Sequence, residues 1–102
     1  IACYDHRSLD IVGCLILKPV GSSIIKMRQV AISDRVQGKG IGTIMVQYAE
    51  AHALRLGFVK IELHARITAV NFYIKNKYKK QGKVFQEVGI DHLCMFKLLD
   101  GQ

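Results

Sequence analysis

Apolar residues fall in short blocks cut by glycine, proline and charge. DIVGCLIL (10–17) and IIKMRQVAI (24–32) have the length and β-branched content of strands. Between them KPVGSS (18–23) has turn chemistry, because Pro19 fixes one dihedral and Gly21 frees another. The two blocks therefore predict an antiparallel hairpin, and Ile1 to Tyr4 a short strand before it. After VQGKGIG (36–42) the period changes. Ile41, Ile44, Met45, Tyr48 and His52 recur at helical spacing, Gln47, Glu50 and Arg55 take the polar face, and Gly57 supplies a stop. FVKIELHA (58–65) then predicts a buried strand, so Ile24 to Ala65 is strand, glycine turn, helix, strand. That crossover implies a parallel pair. Thr68 is an N-cap for a second helix, with Ala69, Phe72, Tyr73 and Asn76 on one face. Lys83 to Val88 and Asp91 to Leu99 close the chain as strands around the Gly89 turn. The fold class is α/β (α+β): a mixed, mostly antiparallel sheet with a central parallel pair and two helices.

The 102 residues make one domain, half of them hydrophobic, so a core can form. No apolar run is long enough to span a bilayer, and the chain shows no signal-peptide pattern and no initiator Met. The expectation is a cytoplasmic domain over 1–102 that lacks its N-terminal part. A sheet without its first strand would show an open edge, so either self-association as a homodimer or docking of a partner there is also expected. The formal charge of +7 favours anionic partners. Its lysines concentrate between Lys75 and Lys83 with no aromatic ladder between them, which argues against a nucleic-acid module and for a solvated face. Cys3, Cys14 and Cys94 are odd in number and form no CxxC pair, so buried free thiols are expected, with neither metal nor disulfide framework.

Three glycines in five residues, Gly38, Gly40 and Gly42, open the first helix with Lys39 among them. A helix N-terminus has unpartnered amides and the positive end of the dipole, and glycine lets that backbone close on a phosphate. A diphosphate suits such a turn. The P-loop spacing fails, since Gly40 rather than Ser or Thr follows Lys39, and GxGxG is not the dinucleotide spacing GxGxxG. A tight strand-to-helix turn that binds nothing is the other reading.

Gln37-Gly38-Lys39-Gly40-Ile41-Gly42 resembles the Q/R-x-x-G-x-G/A signature of the GNAT (Gcn5-related) N-acetyltransferases. LHARITAVNFY (63–73) and FQEVGIDHLCMFKLL (85–99) extend the resemblance, toward the ElaA-like branch. The resemblance implies that acetyl-CoA binds where two parallel strands splay. Backbone at Val30, Ala31 and Ile32 would pair with the pantetheine arm, and amides of Gln37, Gly38, Lys39, Gly40, Ile41, Gly42 and Thr43 would hold the pyrophosphate. Lys75 is a further candidate, for the nucleotide phosphate. Two positions depart from the family pattern: Lys77 stands for its glycine after the second helix, and Arg66 stands where many members have Asn.

Acetyl transfer to an amine needs a neutral nucleophile, although an alkyl ammonium has a pKa of about 10.4, and it expels a thiolate whose acid has a pKa of about 8.5. It profits from a base, an oxyanion donor and a proton donor at sulfur. A backbone amide near Ile32 is a candidate for the oxyanion, and Tyr73 matches the family tyrosine that faces the sulfur. Glu87 and His92 are candidate bases, each equally suited to a structural hydrogen bond. Glu62 and His64 share one strand face, where they would bind water or cap packing. Arg28 is placed to meet an acidic acceptor or to make an edge salt bridge, and Cys94 is a buried thiol rather than a nucleophile. The expected activity is acetyl-CoA-dependent N-acetyltransfer to a primary amine, small molecule or peptide, without metal. A CoA-binding sensor domain without turnover is the alternative.

Overall fold

The structure is a computed structural model that describes residues 1–4, 11–33, 38 and 40–100. Its order is β1 (Ala2–Tyr4), β2 (Ile11–Pro19), β3 (Ile24–Ile32), α1 (Ile41–Arg55), β4 (Lys60–Arg66), α2 (Val70–Lys75), β5 (Lys79–Glu87) and β6 (Ile90–Leu98). The strands form one sheet in the order β1-β2-β3-β4-β6-β5. All neighbours are antiparallel except the central β3 and β4, which the α1 crossover makes parallel. This is the mixed sheet that the sequence predicts.

One face of the sheet carries the core. Leu15, Ile25, Met27, Ile61, Leu63, Ala65, Leu93 and Met95 alternate inward along four strands and meet Val46, Ala49 and Ala53 of α1 and Val70 and Tyr73 of α2. Both helices therefore cover the same face. The opposite face presents Lys26 and Arg28, Glu62 and His64, and His92 and Cys94, all exposed or half-buried. Cys14 is exposed and Cys94 half-buried, so these two thiols do not belong to the core.

The helical stripe differs from the predicted one. Of Ile41, Ile44, Met45, Tyr48 and His52, only Met45 is buried, while Ile44 and Tyr48 are more than half exposed. The contact runs through Val46, Ala49 and Ala53, because small residues let the helix axis approach the sheet. Thr68 is not an N-cap. It sits inside a single 3-10 turn, Ile67–Ala69, from which α2 continues, and the Val70 amide is satisfied by the Ile67 carbonyl instead. β5 starts at Lys79 rather than Lys83, with Gly82 at φ 79° within a register shift between Gln81 and Phe85. Lys79, Lys80 and Lys83 thus line an exposed edge strand, where charge discourages pairing with another chain.

Both helices end in the same hydrogen-bond pattern. After α1, Gly57 donates to Leu54 and Phe58 to Ala53, with Gly57 at φ 93°. After α2, Lys77 donates to Ile74 and Tyr78 to Tyr73, with Lys77 at φ 72°. The Tyr73 and Tyr78 rings meet edge to face at 5.5 Å across this end.

Candidate functional site

The parallel pairing is short. β3 and β4 are in register at Ile24↔Lys60, Ile25↔Ile61 and Lys26↔Glu62, and the ladder ends there. Beyond it β3 bulges: three steps from Ala31 to Arg28 oppose two from Cys14 to Ile16, and Gln29 takes φ 52°. The bulge bends β3 away from β4 and opens a groove of about 710 Å³ through the sheet. Met27, Val30 and Ala31 line one wall and Leu63, His64 and Ala65 the other. Because the gap passes through the sheet, it is also lined by Tyr73 from the helix-covered face and by Glu87 and His92 from the open face.

At the start of α1, Gly40 is the N-cap at φ 77°, and Gly38 lies at φ 81°. Among the described residues, a Cβ at either would have nothing within 4 Å. These two glycines supply left-handed backbone and leave the space before the helix open. Gly42 is bare for another reason. A Cβ there would stand 3.2 Å from Cε1 and Cζ of Phe72, so its absence lets α2 approach. Ile44 makes the first intrahelical bond, to Gly40, so the amides of Ile41, Gly42 and Thr43 have no acceptor within the helix, nor among the other described residues. Thr43 Oγ1 also accepts from Asn76 Nδ2 at 3.5 Å. Residues Gln37 and Lys39 lie outside the described residues. Open strand edges, a groove and an open helix N-terminus with left-handed glycines fit the arm and diphosphate of a coenzyme A.

Tyr73 is 6% exposed, and burial pushes its phenol up to about 12. Among the described residues its hydroxyl has no partner and no fully buried polar side-chain atom is unsatisfied, so the hydroxyl opens on the groove. On the open face His64 Nδ1 lies 3.0 Å from Glu87 Oε2 and 3.5 Å from Lys26 Nζ. The Glu87 carboxyl is held below its usual range, first by the His64 hydrogen bond and further by the charges of His64, His92 and Lys26. His92 Nδ1 lies 2.8 Å from the Ile90 carbonyl, an acceptor only, so Nδ1 carries the proton. Phe85 sits between the imidazoles, edge-on to His64 at 5.0 Å and stacked on His92 at 6.0 Å.

Of the predicted residues, the groove collects Val30, Ala31, Tyr73, Glu87 and His92. Gly38, Gly40, Ile41, Gly42 and Thr43 stand at the helix start, and Ile32 packs against the core. Lys75, at the end of α2, does not line the groove. Sequence pattern gives His64 no partner and does not single out Lys26. Alternation along β4 is the signal that places His64 on the open face, but only the β4–β6–β5 register brings Glu87 to it.

Splayed parallel strands feeding a glycine-opened helix define an acyl-CoA N-acyltransferase fold. Residues 1–78 match the model of the acetyltransferase (GNAT) family, and the chain belongs to that family. Over 70 residues it is 30% identical to Probable N-acetyltransferase 14 of Xenopus tropicalis, which is 68% of this chain but 33% of that protein. The chain therefore spans about a third of the length of that curated relative. The crystal structure of a candidate N-acetyltransferase from Lactobacillus plantarum superposes with a TM-score of 0.88 at 27% identity, over 94% of this chain and 65% of that one. An aminoglycoside 6′-N-acetyltransferase complexed with coenzyme A superposes with a TM-score of 0.86 at 17% identity, over 99% of this chain and 72% of that one. The second likeness is one of fold.

Proposed function

We propose that this chain is an acetyl-CoA-dependent N-acetyltransferase acting on a primary amine, either a small molecule or a peptide N-terminus or side chain. The observation that carries the reading is the groove through the sheet, which meets a buried tyrosine on one face and a histidine–carboxylate cluster on the other. Two substrates can then approach from opposite faces and meet in the gap. The residues 63–73 and 85–99 support a place in the ElaA-like branch.

Acetyl-CoA, when bound, supplies the thioester whose acetyl group moves. Backbone of β3 at Val30 to Ile32 holds the arm, and the amides from Gly38 to Thr43 hold the diphosphate, with the helix dipole favouring its charge. The phenol of Tyr73, near 12, remains protonated throughout the physiological range. It donates a hydrogen bond to the departing sulfur. The low-dielectric wall of Leu63, Ala65 and Met27 strengthens that donor.

Incubation with acetyl-CoA and a panel of primary amines tests the reading, with free CoA thiol and product mass measured together. Acetylated product in a one-to-one ratio with thiol is expected, and Tyr73→Phe is expected to slow it about tenfold. Tight acetyl-CoA binding with no amine acetylated would replace this reading by that of a CoA-binding sensor.

A further inference from the structure

We propose that His64 is the general base that takes the proton from the acceptor ammonium, held in place by Glu87; the inference rests on the N-acetyltransferase reading. A carboxylate only accepts, so the 3.0 Å contact assigns the proton to His64 Nδ1. The same assignment means that Lys26 Nζ, 3.5 Å from Nδ1, makes no hydrogen bond to it. Nε2 is then the bare nitrogen, and His64 lines the groove. Glu87 thus selects the tautomer and fixes the ring, while the Phe85 edge at 5.0 Å limits its rotation. Glu87 itself is the weaker base, because its carboxyl is held low by that hydrogen bond.

The groups that face His64 come from every neighbouring strand. Lys26 and Arg28 lie on β3, Glu62 and Arg66 on its own strand, Glu87 on β5, and His92 and Cys94 on β6. Glu62 is turned to Lys60 at 3.2 Å, which leaves Glu87 and Lys26 as the close charges, acting in opposite senses on a charge at the imidazole.

The ammonium gives one proton to Nε2 of His64, and its nitrogen forms a C–N bond to the acetyl carbon of acetyl-CoA. The C–S bond breaks with its electron pair going to sulfur, and the second amine proton passes to that thiolate. His64 returns its proton to water.

The test is kcat/KM against pH for an alkylamine acceptor. With an enzyme base the wild-type profile reaches a plateau well below the amine's own pKa of about 10.4. His64→Gln removes the plateau, so that the profile climbs with unit slope toward that pKa, and lowers the rate at pH 7 by about 100-fold or more. Glu87→Gln keeps the plateau but lowers it, because the ring is no longer held with Nε2 bare. His92→Gln keeps the plateau, although loss of a groove-lining ring can lower its height. A plateau that survives His64→Gln, or that His92→Gln removes, overturns the assignment. Failure of the wild type to acetylate any amine overturns the parent reading instead, and the base with it. A readout independent of turnover is the nitrogen NMR spectrum of the neutral His64 ring. Protonated Nδ1 and bare Nε2 are expected, with that preference lost in Glu87→Gln; protonated Nε2 in the wild type would contradict the proposal.

Discussion

Tyr78 donates its hydroxyl to Glu50 Oε2 at 2.9 Å, and this bond fastens the end of α2 to the middle of α1. Glu50 Oε1 accepts from Lys97 of β6 at 2.8 Å, and Lys97 also reaches the Asn76 carbonyl at 3.1 Å. One carboxylate therefore joins both helices to the sheet. Tyr78 is 3% exposed, so a lost bond there is not replaced by water. Tyr78→Phe is expected to lower stability by about 2 kcal/mol, read as the urea midpoint at constant slope.

Two turns hold residues in left-handed backbone that glycine or asparagine adopts more readily. Val88 at φ 54° precedes Gly89 at φ 73° in the two-residue β5–β6 hairpin, the pattern of a type I′ turn, and a β-branched residue is strained there. Lys77 at φ 72° ends α2 where Gly57 ends α1. Val88→Asn and Lys77→Gly should each raise stability by about 1 kcal/mol. A fall in the melting temperature of either variant would contradict the turn assignment.

The strands and the crossover were legible because their apolar blocks are short, β-rich and bounded by Pro19, Gly21, Gly57 and Gly89. The buried helix face was not legible, because hydrophobicity favours Ile44 and Tyr48, whereas the sheet selects small Ala49 and Ala53 for close approach. The tyrosine and the glycine turn stood out through local pattern and family resemblance. The His64–Glu87 contact did not, since it joins positions 23 apart across β6, and pairing register is a tertiary property.

Alkaline pH weakens the fold through Tyr73. Its folded pKa, about 12, lies above an unfolded value near 10, so the folded state binds more protons between them. The stability this represents is complete below about pH 10 and is lost as pH rises toward 12, by up to about 3 kcal/mol. Burial and the Glu50 charge shift Tyr78 in the same direction. Urea midpoints at pH 9 and pH 11 should diverge less in Tyr73→Phe than in the wild type.

Acid pH acts through Glu87, with the opposite sign. Its folded pKa is depressed, so its contribution is present above the unfolded carboxylate value and is lost as pH falls through the folded one. The stability difference between wild type and Glu87→Gln should shrink on acidification below about pH 4.5. A difference that stays constant down to pH 3 would mean that the His64 contact does not form in solution.

Acetyl-CoA binding by the splayed strands and the glycine-opened helix underlies every step proposed for this chain. Calorimetric titration of acetyl-CoA into the chain tests it most directly, with Gly40→Glu as the comparison. A carboxylate at the open N-cap opposes the diphosphate by charge and by volume. Saturable one-to-one binding, lost in a Gly40→Glu variant whose circular dichroism is unchanged, is the predicted result. No heat in the wild type, or equal affinity in the two proteins, would contradict the account.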